Sequence, residues 1–210
     1  MSLELEPLPR AKLGHEREFV DLFKKLAVAK ASRREQLMQW IADVSEPAYA
    51  VIGAPRVGFD ESADAWLRTK VEKSNRLAEL DAIRADMHGT YVLDLLPPSE
   101  GFPVYRSSLE VERYTFHAEL LRATSDELST ELCEAAYTMM LPEALSDFAT
   151  RLFVTADRFA ADHRLPEHVA TIREPVFPEG TDGRRGHILY AAAKWCEYWS
   201  VRGHGLSVTF

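Results

Sequence analysis

At 210 residues the chain exceeds the ~150-residue scale of one domain by too little to suggest two, so a single domain over 1–210 is expected. A composition 46% hydrophobic and 28% charged excludes intrinsic disorder, collagen-like repeats and a disulfide scaffold, and leaves an enzyme allowed but not required. The formal charge of −8, with both halves mildly acidic, opposes nucleic-acid binding and suits a basic protein partner.

In chain order, Phe19, Leu22, Phe23 and Leu26 recur at helical spacing, and Leu37, Trp40, Ile41 and Val44 do so again, which predicts two opening helices. Tyr49 to Ile52 is a short apolar run after Pro47 and reads as a short strand, followed by a turn from Gly53 to Gly58. From Asp60 to Met87 the apolar residues Ala63, Leu67, Val71, Leu77, Leu80 and Ile83 predict one long helix, thinnest between Val71 and Asn75. Tyr91 to Leu96 is rich in strand formers and stops at Pro97.

Ser107 with Glu110 matches a capping box, although Glu110 to His117 also alternates as a strand would. Thr124 with Glu127 makes a second capping box ahead of Leu128, Leu132 and Met139. After Pro142 comes the cleanest period in the chain, Leu145, Phe148, Ala149, Leu152, Ala156 and Phe159, which predicts a core helix. Residues 164–186 read mostly as loop, with Val169 to Ile172 a candidate strand. Ile188, Ala192, Trp195, Cys196 and Trp199 then predict an amphipathic helix, and the alternation of Leu206, Val208 and Phe210 a terminal strand. The expected fold is a helix-rich α+β domain with about six or seven helices and a few short strands, one of them C-terminal.

The N-terminus carries Glu4 and Glu6 where a signal peptide needs basic residues, and no apolar run approaches the ~18 residues of a membrane span, so no membrane association is expected. Cys133 and Cys196 fall on apolar helical faces, where thiols stay buried and reduced. A cytoplasmic location follows from both. The seven histidines lack metal-pair spacing. His163 and His168 are separated by Leu165-Pro166, which breaks a one-face helical pair, so neither a metal nor another cofactor is expected.

No Gly-x-Ser-x-Gly elbow occurs, and neither cysteine has a histidine beside it. The glycine-bounded turn carrying Arg56 lacks the Lys-Ser/Thr ending of a phosphate loop, and Pro55 removes an amide donor, so a structural turn is the reading there. The stretch holding His187, Trp195, Trp199 and His204 concentrates aromatics and histidines, and glycines flanking His204 allow close backbone approach. It reads either as a place to meet a ligand or as core tryptophans with a capped helix end. Lys24, Lys25, Lys30, Arg33 and Arg34 form a basic cluster, the solvated face of a helix pair or a patch for an acidic partner or a phosphate-bearing ligand.

Two functions follow from these residues. The first is a non-enzymatic cytoplasmic protein that binds or regulates a basic protein partner through an acidic surface, an immunity-type protein being one form. The alternative is a hydrolase whose site assembles from Arg56, His117, His187 and His204 after folding. Trp195 and Trp199 join those four as candidate ligand- or partner-contacting residues.

Overall fold

The computed structural model describes residues 4–96, 117–170 and 177–209, with backbone only at 4, 117–119, 168 and 209. It is helix-rich with short strands, an α+β fold. Nine α-helices are present among the described residues, against the six or seven expected. The chain divides into two compact units, the first from residues 4–48, 117–170 and 177–209 and the second from residues 49–96.

In the first unit, β1 (Glu4–Pro7) pairs antiparallel with β4 (Leu206–Thr209), setting Leu5 opposite Val208 and Pro7 opposite Leu206. The expected terminal strand is therefore present, and its Leu206 is fully buried. Phe210 lies outside the described residues. A second, two-residue ladder joins β2 (Arg10–Ala11) to β3 (Ser45–Glu46). Between β2 and β3 run α1 (Glu16–Ala27) and α2 (Ala31–Asp43), the two helices predicted, whose Phe19, Leu22, Leu26, Leu37, Ile41 and Val44 close on one another as a small core. Trp40, placed on the apolar stripe of α2 by its spacing, is 41% exposed.

Within the second unit, Tyr49 to Ile52 is not a strand. Tyr49 to Val51 belong to α3 (Ala48–Val51), one short turn that Ile52 follows and that is closed by the Ala54 amide donating to the Tyr49 carbonyl at 2.9 Å. Four apolar residues are too few for periodicity to separate helix from strand. The long helix expected to Met87 is broken: α4 (Glu61–Lys73) ends where Asn75 takes a left-handed φ of 56°, and the Arg76 amide donates back to the Val71 carbonyl at 3.0 Å. Asn is one of the few side chains that tolerates that conformation. A 3₁₀ turn (Leu77–Glu79) and α5 (Leu80–Asp86) follow.

Tyr91 to Leu96 is not a regular strand either. Tyr91 makes a single bridge to Arg56, and Leu93–Leu95 is a 3₁₀ turn held by the Asp94 carboxylate, which accepts from Trp66 Nε1 at 2.9 Å and pairs with Lys70 Nζ at 2.9 Å. Val57, Ala63, Leu67, Val71 and Val92 form this unit's core.

Back in the first unit, α6 (His117–Thr124) precedes α7 (Thr130–Ala135). The Thr124 capping box is not used. Thr124 ends α6, its hydroxyl donating to the Leu120 carbonyl at 2.5 Å, and α7 is capped instead by Ser129, whose Oγ accepts from the Leu132 amide. The Ser107–Glu110 reading lies outside the described residues. Val169 and Ala170 close a 3₁₀ turn (Glu167–Ala170) rather than opening a strand, and Thr171 and Ile172 lie outside the description.

Helix α8 (Pro142–Asp162) has the predicted core stripe, with Pro142 in its first turn, where a missing amide proton costs nothing. Its partner α9 (Asp182–Ser200) is antiparallel to it, since Tyr190 Oη donates to Asp157 at 2.7 Å while His163 Nδ1 meets Asp182 at 2.8 Å. The sequence reading of α9 as amphipathic is corrected. Every residue from Gly186 to Ala193 is buried, so this helix runs through the core rather than along its edge. Three consecutive alanines, Ala191 to Ala193, let neighbours approach it on adjacent faces. No helix among the described residues is long and apolar enough to cross a membrane.

Candidate functional site

Trp195 and Trp199 are fully buried, their rings edge-on with centroids 6.3 Å apart, so they form core and not a surface for a ligand. Helix α9 then stops in a tight return. The Gly203 amide donates to the Ser200 carbonyl and the His204 amide to the Trp199 carbonyl at 3.0 Å, with Gly203 at a φ of 78° that side chains rarely adopt.

That turn delivers His204 under the N-terminal segment, with Nδ1 2.8 Å from the Leu8 carbonyl and the ring edge-on to Trp199 at 5.3 Å. Burial lowers the pKa of His204, with the nearby Arg10 adding to the effect against the Leu8 hydrogen bond, so the ring is neutral and Nδ1–H is the donor. The close approach that the flanking glycines allow is internal. A Cβ on Gly205 would lie 2.1 Å from the Met140 carbonyl oxygen, across the bridge between Met140 and Leu206.

His187 sits near the other end of α9. It is 1% exposed, and neither ring nitrogen has a hydrogen-bond partner among the described residues. Burial, then the positive charges of Arg184 and Lys194, push its pKa down to about 4, so the imidazole is neutral at ordinary pH. Ser200, the last residue of α9, is thirteen residues beyond His187, a rise of ~20 Å, so His187 and His204 are not brought to one site. His117 opens α6, its side chain outside the description.

Arg56 belongs to the second unit, where it anchors its own turn. Its Nε donates to the Gly89 carbonyl at 3.2 Å, and its guanidinium lies 4.3 Å above the Phe59 ring and 5.1 Å from that of Tyr91. The amides an anion would need are already engaged. Arg56 N–H donates to Asp60 at 2.7 Å, Gly58 N–H to Asp64 at 2.9 Å and Val57 N–H to the Thr90 carbonyl at 3.0 Å.

Of the two thiols, Cys196 is fully buried and its pKa is pushed up by burial, which keeps it inert. Cys133 corrects the expectation of two buried thiols. It is only partly covered, with Sγ 3.8 Å from the Ser125 carbonyl. Among the described residues no three His, Cys, Asp or Glu side chains gather as metal ligands would. His163 stacks on Phe159 at 4.1 Å and meets Asp182, whose pKa is lowered by Arg185 first and His163 second. His168 contributes backbone only.

The most uniform surface feature is acidic. From residue 123 to 150 the chain holds Asp126, Glu127, Glu131, Glu134, Glu143 and Asp147 and no Lys, Arg or His. All but Glu127 are exposed on α7, its approach and the first turns of α8. Glu127 turns inward to Arg185 Nη1 at 3.0 Å. Tyr137 is 49% exposed within this stretch, and Val154 is 65% exposed two turns along α8 from Asp147. Counting charge by halves of the chain hides this run. A sliding count over ~25 residues finds it from sequence alone.

Compared with known proteins, the chain matches no family model, no curated protein and no solved structure.

Proposed function

We propose that this protein is a non-enzymatic binding or regulatory protein that docks a basic protein partner on the acidic surface of α7 and the start of α8. One observation carries the reading: five exposed carboxylates, Asp126, Glu131, Glu134, Glu143 and Asp147, share a stretch of sequence without a single basic residue and flank the half-exposed Tyr137 along the chain, with Arg151 just beyond the stretch near enough to add to the lowering of the Glu131 pKa by Ser129. An aromatic amid charge of one sign has the makeup of a docking patch, in which the ring supplies contact area and the charges supply steering and partner choice. An immunity-type protein neutralising a basic effector is one concrete form.

A cytoplasmic, reducing compartment belongs to the same proposal, supported by two thiols that are not joined in a disulfide. The hydrolase alternative has less to support it. His187 stands ~20 Å of helix rise from the end of α9, beyond which the turn carries His204, and Arg56 is spent on holding its own turn.

The test is capture from native extract at low and high salt, with the wild-type chain and with Glu131→Lys/Glu134→Lys. The expected result is a specific basic protein retained at low salt by the wild type and lost by the variant. Capture indifferent to the substitutions would overturn the reading, as would a reproducible hydrolytic turnover abolished by alanine at His187 or His204 in a chain that stays folded.

A further inference from the structure

The corner between α1 and α2 is the opposite of the acidic face. Residues 22–34 hold Lys24, Lys25, Lys30, Arg33 and Arg34 and no acid, in a chain whose formal charge is −8. All five side chains are exposed, and among the described residues none makes a hydrogen bond or an ion pair. Folding accounts for two of them, since Lys24 and Lys25 sit in the last turn of α1, where the helix dipole favours cations, but not for the other three. Helix α2 carries no acid in its first turn, where acids would favour the helix dipole, and has Arg33 and Arg34 there instead. Like charges held together unpaired repel one another, and a negative counterpart relieves the repulsion.

The shape of the corner narrows the counterpart. Every residue from 30 to 36 is exposed, so the corner protrudes, and at its apex the apolar Val28 is 85% exposed between Lys25 and Lys30. Exposed cations on both sides of an exposed aliphatic side chain match a planar anionic interface: head groups take the charges while Val28 enters the boundary of the acyl region. Residues 24–36 contain no aromatic side chain on which a nucleic-acid base would stack.

The acids of α1 offset its lysines in part, with Glu16 bordering one depression with Lys24 and Glu18 and Asp21 another with Lys25, so Lys30, Arg33 and Arg34 carry most of the unopposed charge. Glu16 and Glu18 sit in its first turn, and Glu16 is ~13 Å of helix rise from Lys25, beyond the ~8 Å screening length at physiological salt. The nearest acids along the chain, Asp21 and Glu35, only bracket the cluster.

We propose that the α1–α2 corner, through Lys24, Lys25, Lys30, Arg33, Arg34 and the exposed Val28, docks this protein on an anionic lipid bilayer surface without crossing it. At Lys24 this corner adjoins the acidic face, since Lys24 and Glu143 border one depression, but Lys30, Arg33 and Arg34 lie on α2 and its approach, so the proposal is tested independently of the protein-partner reading.

Co-sedimentation of the full chain with phosphatidylserine–phosphatidylcholine vesicles, against pure phosphatidylcholine vesicles, tests it. The wild type is expected to bind the mixed vesicles alone and to be released by salt. Removing cations should weaken partitioning roughly fivefold each, so Arg33→Gln/Arg34→Gln loses about 25-fold. Val28→Ser should weaken binding while leaving its salt dependence intact, and Lys73→Gln, an exposed lysine of the second unit, should change nothing. Unchanged circular dichroism melts show that these surface variants remain folded. No binding to the mixed vesicles, equal binding to both kinds, or full binding by Arg33→Gln/Arg34→Gln would overturn the proposal. So would corner-dependent capture of polyglutamate without vesicle binding, which would assign the patch to an acidic protein.

Discussion

Acidification from pH 7 to 4.5 should weaken this protein through His187, and a single substitution should remove that sensitivity. The ring is 1% exposed and lacks a hydrogen-bond partner among the described residues, and its pKa falls from 6.5 to about 4 in the folded chain. The unfolded chain therefore binds a proton between those limits that the folded chain refuses. Stability is fully present above pH 6.5 and is lost as pH falls toward 4, at ~1.4 kcal/mol for each pH unit.

By pH 4.5 the loss from His187 is about 2–3 kcal/mol, a large share of a stability of order 5–15 kcal/mol. His187→Leu removes both the titration and the unpartnered nitrogens, so it should be near neutral or stabilising at pH 7 and clearly more stable than wild type at pH 4.5. Urea denaturation followed by circular dichroism at several pH values measures both. His204, whose pKa is also lowered by burial, weakens the two proteins alike. Asp182, Glu131, Glu79 and Glu16 also have lowered pKa values; what they contribute is present above pH 4.5 and lost only below it, outside this window. Parallel pH profiles for wild type and His187→Leu would refute the burial argument.

Leu206→Ala, at a fully buried position of β4, should cost about 2–5 kcal/mol in a denaturant titration, because it opens a cavity beneath the strand that joins the two ends of the first unit. Gly205→Ala should be at least as damaging, about 3 kcal/mol or more, since its Cβ would be 2.1 Å from the Met140 carbonyl oxygen and backbone must move to admit it. With a thiol reagent under native conditions one equivalent should react quickly, at Cys133. Cys196 should react only in denaturant.

The parts of the fold that could be read from sequence are those in which one face is buried and the other wet. Helix α8 shows its stripe plainly because Leu145, Phe148, Leu152 and Phe159 alternate with solvated residues. Helix α9 misleads because it is buried on nearly every side, which erases the polar face that periodicity depends on. The run 91–96 has strand-forming residues but lacks a ladder to join, and the Asp94 carboxylate fixes it to Trp66 and Lys70 instead. Such a contact between residues 24 to 28 apart leaves no local pattern.

The candidate residues followed the same logic. His187, Trp195, Trp199 and His204 attract attention by their chemistry, yet three of the four fill or pin the core around α9, and His187 is buried there without a partner. Exposed charge on α7 and α8 was visible as composition but not as a surface until α7 and the start of α8 set the carboxylates together.

If α7 and the start of α8 present a charge-steered docking face, the association rate of the captured partner depends on ionic strength. Association should be fast at low salt, toward ~10⁸ M⁻¹s⁻¹, and fall steeply as salt rises, with a slower, nearly salt-independent rate for Glu131→Lys/Glu134→Lys. A wild-type rate that is flat with salt, or identical in the charge-reversed chain, would contradict it.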